Sequence, residues 1–414
     1  MEVEEVTLTW RDSKRYLWLL GLVAPGCALL PSTLVGLTGF RAFWWIGPIV
    51  VFAIIPLLDV AIGDEGNNPP DVVFAQLSAD RYYRWCTYLF LPILFSGLLV
   101  AGYMWADGAL SVVDKLGLTV TVGLVSGVGI NAAHELGHRV EKHERWLARL
   151  ALAQTGYGHF YVEHNRGHHV RVATPEDPAS ARFGESLYRF LPRSIVGGLR
   201  SAWHLEVQRL RRRKRSVLSQ HNQILQAWSL SAIVFGLLIG LFGGVIVPYL
   251  ALQALIAIVL LETVNYVEHY GLLRQRPDGR RYERTTVRHS WNSDRLVTNI
   301  FLFHLQRHSD HHANPQRRYQ TLRSFDASPQ LPFGYASMIV LAFVPPLWRR
   351  VMDRRVLAHY GGDVELANIC PRRRTSVLAR YPRPASRLLV AAGDRPHATP
   401  VTASPVRSGH RSRP

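Results

Sequence analysis

Long apolar stretches separated by short polar turns dominate the first part of the chain. A helix needs about 20 apolar residues to cross the hydrocarbon core of a membrane. Runs of that length occur at about 17–38, 43–62, 87–106 and 112–133. A longer run, about 225–267, is interrupted near Gly243-Gly244 and Pro248, which predicts a hairpin of two helices. The pattern therefore predicts an all-α integral membrane protein with six transmembrane helices.

The polar segments place basic charge on one side of these helices. Segment 134–224 holds 16 Lys and Arg against 8 Asp and Glu, a surplus of +8. Basic loops stay on the cytoplasmic side, so both termini are expected there, and the acidic N-terminus does not resemble a cleaved signal peptide. The expected organisation is a cytoplasmic N-terminus (1–16), four transmembrane helices (17–133), a cytoplasmic segment (134–224), a transmembrane hairpin (225–268), a cytoplasmic helical cap (269–370) and a basic disordered tail (371–414).

The composition excludes several classes of site. The 414 residues carry a net charge of +18, of which +9 lies in the tail, with ten Arg and one Asp. The arginine-rich run 209–215 beside the spans predicts contact with membrane lipids, and no nucleic-acid-binding signature accompanies it. Three separated cysteines, Cys27, Cys86 and Cys370, exclude a disulfide framework, a four-cysteine zinc site and a thiolate-ligated iron–sulfur cluster.

Histidines carry the chemistry. Nine of the eighteen fall in four short motifs, HELGH (134–138), EHNRGHH (163–169), NYVEHYG (265–271) and LQRHSDHH (305–312). They are His134, His138, His164, His168, His169, His269, His308, His311 and His312. Spacings of three and four place imidazoles on one helix face, and imidazole suits iron, copper, zinc and nickel. Nine ligands are too many for one ion, so we expect two metals at the cytoplasmic ends of the spans.

Two other interpretations of these motifs are weaker. HELGH fits the zinc protease pattern, with Glu135 as general base, but a membrane zinc metalloprotease would leave most of the nine histidines unused. A metal transporter would place histidines along a transmembrane path, whereas here they gather at one end of the spans.

A family resemblance rests on longer strings. These are GDEGNNPPD (63–71), GYGHFYVEHNRGHH (156–169), NYVEHYGLLRQ (265–275), RHSWNSD (288–294) and LQRHSDHHANP (305–315). Over about residues 14–370 the chain resembles the membrane alkane 1-monooxygenases, of the integral-membrane fatty-acid desaturase and hydroxylase superfamily. The resemblance implies O2-dependent terminal hydroxylation of medium-chain n-alkanes to 1-alkanols in the bacterial inner membrane. It also implies a non-haem di-iron centre, two Fe ions held by the nine histidines. The alternative is a fatty-acid desaturase or another His-box hydroxylase.

The chain lacks a means of reducing itself. It contains no CxxC pair for a rubredoxin-type iron site and no GxGxxG motif after a strand. The resemblance implies that electrons come from a rubredoxin, itself reduced by an NADH-dependent rubredoxin reductase. The basic cytoplasmic surface favours an acidic carrier.

Acidic residues near the motifs are candidates for orienting the ligands. Glu135, Glu163, Glu268 and Asp310 adjoin ligands in sequence, so each is expected to serve a histidine on another helix or to neutralise charge. Asp59 and Glu262 lie in apolar spans, where an ionisable group is costly. The second-shell candidates are Asp59, Glu262, Glu268 and Glu283.

An apolar substrate would enter from the bilayer between helices. Val51, Phe52 and Ile55 of the second span are candidates for a substrate channel, with ordinary packing as the alternative. The remaining histidines are weaker candidates near the motifs (His159, His289, His304) or expected surface residues (His143, His204, His221, His359, His397, His410).

Overall fold

The computed structural model describes residues 10–384, and residues 1–9 and 385–414 lie outside the described part. Over 10–384 the chain is helical, and its β-contacts are three isolated bridges. The α-helices are α1 (Val23–Gly26), α2 (Leu30–Thr38), α3 (Ile46–Ile49), α4 (Ile55–Ile62), α5 (Phe74–Ala79), α6 (Arg81–Ala106), α7 (Val112–Gly137), α8 (Lys142–Ala153), α9 (Phe160–Glu163), α10 (His169–Arg171), α11 (Leu187–Arg212), α12 (Gln223–Phe242), α13 (Val247–His269), α14 (Leu296–Phe301), α15 (His308–Ala313), α16 (Tyr335–Ala342), α17 (Pro345–His359) and α18 (Arg374–Arg380). The 3-10 turns are Leu17–Leu22, Arg41–Trp45, Asp71–Val73, Gly244–Ile246, Tyr319–Thr321, Val364–Leu366 and Pro371–Arg373, and π turns occupy Val50–Ile54 and His164–His168.

The predicted membrane architecture is confirmed. Five helical stretches of the described chain are long and apolar enough to span a membrane, and a sixth if a bent pair counts as one span. The five are Arg41–Ile62, Arg81–Ala106, Val112–Gly137, Gln223–Phe242 and Gly244–His269. The first predicted span differs, because Leu17–Gly26 and Leu30–Thr38 meet at 73°. Pro31, which has no backbone N–H to continue a helix, lies in the first turn of the second piece.

The predicted hairpin has its break at the expected glycines. Helix α12 ends at Phe242, and Gly243 adopts φ +78°, a left-handed conformation that costs glycine little. Pro248 lies at the start of α13, where its missing N–H interrupts no helical hydrogen bond.

Helices α7 and α13 form the centre of the molecule and carry their last turns into the site. They pack closely because small residues of α7 face large ones of α13. A Cβ on Gly123 would lie 2.7 Å from Ile256, and one on Gly127 would lie 2.6 Å from Leu260. This close packing fixes the relative position of His134, near the end of α7, and His269, the last residue of α13.

The expected disorder from residue 371 is wrong for the first part of the tail. Residues Pro371–Arg373 and Arg374–Arg380 are helical, and Val377 is buried. The backbone N–H of Cys370 donates to the carbonyl of Phe183, and the ring of Tyr381 contacts that of Phe183. A few apolar residues among the arginines thus dock this segment on the cap, while the remainder of the tail, from 385, lies outside the described residues.

Candidate metal centre

The nine motif histidines converge from five helical segments into two adjacent groups. In each group the candidate ligand atoms lie within 4.8 Å of one another. The five-histidine cluster comprises His134, His138, His164, His169 and His311. The four-histidine cluster comprises His168, His269, His308 and His312. The clusters adjoin, since the ring centroids of His169 and His312 are 4.4 Å apart.

The contacts within the clusters are those of metal ligands. In the five-histidine cluster, Nε2 atoms contact one another in series, from His138 to His164 (3.0 Å), His169 (3.0 Å), His311 (3.1 Å) and His134 (2.9 Å). A neutral imidazole has one N–H, which cannot satisfy two facing nitrogens. A bound metal ion can satisfy them, because it accepts a lone pair from each facing nitrogen at the same time.

The four-histidine cluster contains similar contacts, and three of its buried ring nitrogens have no hydrogen-bond partner in the described chain. The Nε2 of His312 lies 2.9 Å from that of His308 and 3.2 Å from that of His168. The Nε2 of His269 is fully buried and has no hydrogen-bond partner in the described chain. Such an orphaned polar atom is costly, and a metal ion would satisfy it.

The neutral state of the rings favours metal binding. Burial, together with neighbouring imidazoles, holds the pKa of His164, His169, His308, His311 and His312 well below the usual 6.5. These rings are therefore neutral at neutral pH, and each offers a lone pair to a metal.

A π turn distributes the second motif between the clusters. The N–H of His169 donates to the carbonyl of His164, five residues earlier, within the turn His164–His168. His164 and His169 thereby share one cluster, while His168 belongs to the other. Helix α15 divides its histidines similarly, because His308 and His312 face one cluster and His311 faces the other.

Two carboxylates contact ligand rings, Asp177 at the nitrogen that faces away from the cluster and Glu268 at a nitrogen that faces into it. The Nδ1 of His168 donates to Asp177 at 2.9 Å, and the hydroxyl of Ser180 donates to the same carboxylate. Burial would raise the pKa of Asp177, but the imidazole and the hydroxyl outweigh it and lower the pKa to about 2. An oxygen of Glu268, a sequence candidate, lies 3.1 Å from Nε2 of His308. Asp177 was missed by sequence reasoning because nine residues separate it from His168.

The other acids beside the ligands neutralise arginines. Glu135 pairs with Arg139 (2.7 Å). Glu163 pairs with Arg171 and Asp310 with Arg317, each at 2.8 Å. Each acid thus compensates a positive charge near the clusters. In particular, Glu135 is engaged by an arginine and is not available as the general base of a protease.

Three of the acidic candidates make no hydrogen bond or ion pair to a cluster histidine in the described chain. Asp59 accepts hydrogen bonds from the backbone and hydroxyl of Thr298 and ties the second span to α14. Glu262 accepts from Tyr157, Ser194 and Asn265. Glu283 contacts His289 and the backbone of Gln275. In each case a nearer hydroxyl, amide or imidazole satisfies the carboxylate.

An apolar cavity lies between the spans, and its lining comes within one helical turn of a cluster histidine. Its lining includes Val51, Ile55, Leu124, Gly127, Leu260, Val264, Leu305 and Tyr335. Asn131 also lines it, one helical turn before His134. Tyr335 faces Glu268, the residue beside His308. Phe52, expected in the channel, instead packs against the core of α13, α16 and α17, because it is on a different side of the helix.

The remaining histidines lie outside both clusters. His304 is buried between Glu65 and the carbonyl of Tyr319, and His159 is buried beside the rings of Tyr157 and Trp228. His143, His204 and His221 are exposed as expected. His359 is half-buried against Trp291 and is not a plain surface residue. His397 and His410 lie outside the described residues.

Asp177→Asn should weaken metal binding without unfolding the protein. The amide keeps the size of the carboxylate but removes the charge that stabilises His168 from behind. Loss of such a partner typically costs 10- to 100-fold in metal affinity or activity. The measurement is metal content after dialysis against graded chelator. Asp278→Asn, at an exposed turn, is the control, and equal metal retention by both variants would contradict the prediction.

Comparisons with known proteins agree with this geometry. The fatty acid desaturase family pattern matches residues 115–342. The chain is 44% identical to the alkane 1-monooxygenase of Acinetobacter baylyi over 373 residues, covering 89% of this chain and 91% of the relative. It is 43% identical to that of Ectopseudomonas oleovorans, covering 89% and 92%, and 42% identical to alkane 1-monooxygenase 1 of Alcanivorax borkumensis, covering 87% and 89%. A buried histidine-rich metal centre at the ends of membrane helices, with relatives this similar over this length, confirms the predicted resemblance. The chain belongs to the membrane alkane 1-monooxygenases of the fatty acid desaturase superfamily.

Proposed function

We propose that the protein uses O2 to hydroxylate the terminal carbon of medium-chain n-alkanes at a di-iron centre, with electrons from rubredoxin. The balanced reaction converts an alkane, O2, two electrons and two protons to a 1-alkanol and water. The observation that carries the proposal is the pair of adjacent histidine clusters near an apolar cavity, whose lining includes Asn131, one helical turn before His134. The alternative, desaturation of a fatty acid, would also need a place for a carboxylate, and the described cavity lining contains no Arg or Lys.

The spacing of the ring nitrogens favours iron over zinc. With metal–nitrogen bonds of about 2.1 Å, ligands at right angles lie about 3.0 Å apart and tetrahedral ligands about 3.4 Å apart. The contacting pairs of the five-histidine cluster lie 2.9–3.1 Å apart. Five ligands at such separations suit a five- or six-coordinate metal. Bound iron would supply the oxidising power, derived from O2, that an unactivated C–H bond requires.

The residues of the chain position the substrate and exclude water. The cavity would hold the alkane against apolar side chains of the second span, α7 and α13, with one end toward Asn131 and Tyr335. The buried rings and the arginine-paired acids around them keep the clusters dry on the membrane side. An alkane so held would present its terminal methyl group if its end lay beside Asn131, one helical turn before His134.

The electron carrier would approach the clusters where they come nearest to solvent. His169 is the only half-buried ring of the nine in the described structure. The next residue, Val170, is 64% exposed, and Val140, two residues after His138, is 72% exposed. Exposed apolar residues beside a redox centre on a basic protein suit a small acidic carrier. By the positive-inside rule this face and both termini would be cytoplasmic, in the inner membrane.

Product analysis tests the proposed reaction. Membranes containing the protein are supplied with NADH, rubredoxin reductase, rubredoxin and octane, and products are separated by gas chromatography. We expect 1-octanol, dependent on iron and on rubredoxin, and a rate that falls with salt. A double bond in place of the alcohol would favour the desaturase alternative. Zinc at one ion per chain, with no iron, would overturn the proposal.

Introducing a negative charge at position 170 should impair electron delivery. Val170→Glu places an acid where an acidic carrier would dock, so we expect kcat/KM for rubredoxin to fall roughly tenfold at low salt. Val170→Lys, of similar size and opposite charge, is the matched control and should retain or raise that value. Iron content should be unchanged in both variants. Equal effects of the two charges would argue against docking at this face.

A further inference from the structure

A groove lies between α11 and α12, away from the metal centre. Its walls include the rings of Trp203 and Trp228, stacked at 6.3 Å with an interplanar angle of 10°, together with Val207 and Val217. Arg200 and Arg211, both exposed, also line it. The groove therefore combines an apolar floor with cationic edges. This combination complements a lipid, which has apolar chains and a charged headgroup.

The groove lies at the edge of the membrane. Helix α12 is one of the membrane-spanning helices and begins at Gln223, so Trp228 lies in its second turn. Tryptophan concentrates at membrane–water interfaces, where its ring meets apolar chains and its N–H meets water. The floor of the groove is therefore at the depth at which headgroups give way to acyl chains.

Helix α11 has the character of an interfacial helix. Tyr188, Pro192, Val196 and Leu199 follow one another at spacings of three and four and are all exposed, which forms an apolar stripe on the surface of the helix. Basic residues flank that stripe. An amphipathic helix of this kind lies in the interface with its apolar stripe among acyl chains, which brings the groove to the lipids.

The charge around the groove is unbalanced. Residues 187–230 contain a single acid, Glu206, which is buried and already paired with Arg166 and Arg209. The side chains of Arg200 and Arg211 have no acidic partner among residues 10–384, in contrast to the arginines around the clusters. Such free cations at a membrane surface attract anionic headgroups.

We propose that this groove binds an anionic phospholipid. Arg211, near the end of α11, pairs with the phosphate, and Arg200 supplies a second cation farther along the groove. An acyl chain lies on Trp203 and Trp228. The site is independent of the metal centre and of the proposed hydroxylation, so its failure and the failure of that function are separately detectable.

The test measures phosphatidylglycerol bound to the purified full-length protein, by native mass spectrometry, with phosphatidylcholine as the neutral probe. Each basic residue near an anionic surface contributes about fivefold to binding. Arg200→Gln combined with Arg211→Gln should therefore weaken phosphatidylglycerol binding roughly thirtyfold and leave phosphatidylcholine binding unchanged. Arg212→Gln combined with Arg213→Gln removes the same charge outside the groove and should weaken binding far less. Trp203→Ala should weaken the binding of both lipids.

Three results would overturn the proposal. The first is unchanged phosphatidylglycerol binding by the Arg200 and Arg211 variant. The second is an equal loss in the Arg212 and Arg213 variant, which would indicate a diffuse charged surface rather than a groove. The third is displacement of the lipid by millimolar inorganic phosphate, which would indicate a site for a free anion. Iron content and circular dichroism of the variants verify that each is folded.

Discussion

His269→Ala should abolish hydroxylation and leave the protein about one iron short of the two we propose. The four-histidine cluster would retain three rings and lose the Nε2 of His269, so we expect it to bind its metal too weakly to keep it through purification. Loss of a residue that only supports a ligand lowers metal affinity or activity about 10- to 100-fold. Loss of the ligand itself should therefore lower the hydroxylation rate at least about 100-fold. The measurements are iron per chain by mass spectrometry and 1-octanol formed.

A comparison between clusters sharpens this prediction. His169→Ala leaves four rings in the five-histidine cluster, and His169 is the most exposed of the nine. We therefore expect this variant to retain more iron than His269→Ala, although its activity also falls. His143→Ala, at an exposed position outside both clusters, is the control and should match the wild type. Two irons per chain in His269→Ala would contradict the prediction that His269 is needed to hold a metal.

Val51→Trp should shift the enzyme toward short alkanes. Val51 lines the apolar cavity, and an indole there would occupy the space of several methylene groups. Pockets discriminate by about 10- to 200-fold for each methylene they cannot accommodate. The ratio of hexadecane to octane turnover should thus fall at least about tenfold, measured by competition between the two substrates.

Position 52 provides a matched control for the cavity. Phe52 adjoins Val51 in sequence but packs into the core of α13, α16 and α17. Phe52→Trp therefore adds a similar ring to the same helix outside the cavity, and should leave the chain-length ratio unchanged. If both variants lower the ratio of hexadecane to octane turnover equally, the effect arises from distortion of the second span and not from occupation of the cavity.

The parts of the fold governed by hydropathy were predictable, because lipid forces long apolar runs into helices. The hairpin break at Gly243 is the clearest example. The 73° bend in the first span was not predicted, since length and apolar content say nothing of the direction of two short pieces around a proline. Order at Arg374–Arg380 was missed because charge dominated the composition there, whereas one buried valine, Val377, holds the helix.

The members of the metal centre were predictable, but their arrangement was not. Motif spacing identified all nine histidines that the structure brings together. It could not divide them, because α-helical spacing groups His164 with His168, whereas the structure groups His164 with His169. The carboxylates show the same limit. The sequence indicated Asp59 and Glu262, because ionisable residues are rare in membrane spans, but these two bond to Thr298 and Tyr157. The carboxylate that bonds to a ligand ring is instead that of Asp177, which contacts His168.

The π turn at His164–His168 has a consequence for how this segment can change in evolution. Deleting one residue would restore the α-helical register and turn His168 and His169 by about 100° relative to His164, which would dismantle both clusters together. Gly167 is similarly constrained, since a Cβ there would lie 2.5 Å from both partners of the Arg171–Glu163 ion pair. Asn165, which bonds only to the carbonyl of Tyr161, carries neither constraint. The segment should accordingly tolerate replacement at Asn165 while rejecting every insertion and deletion.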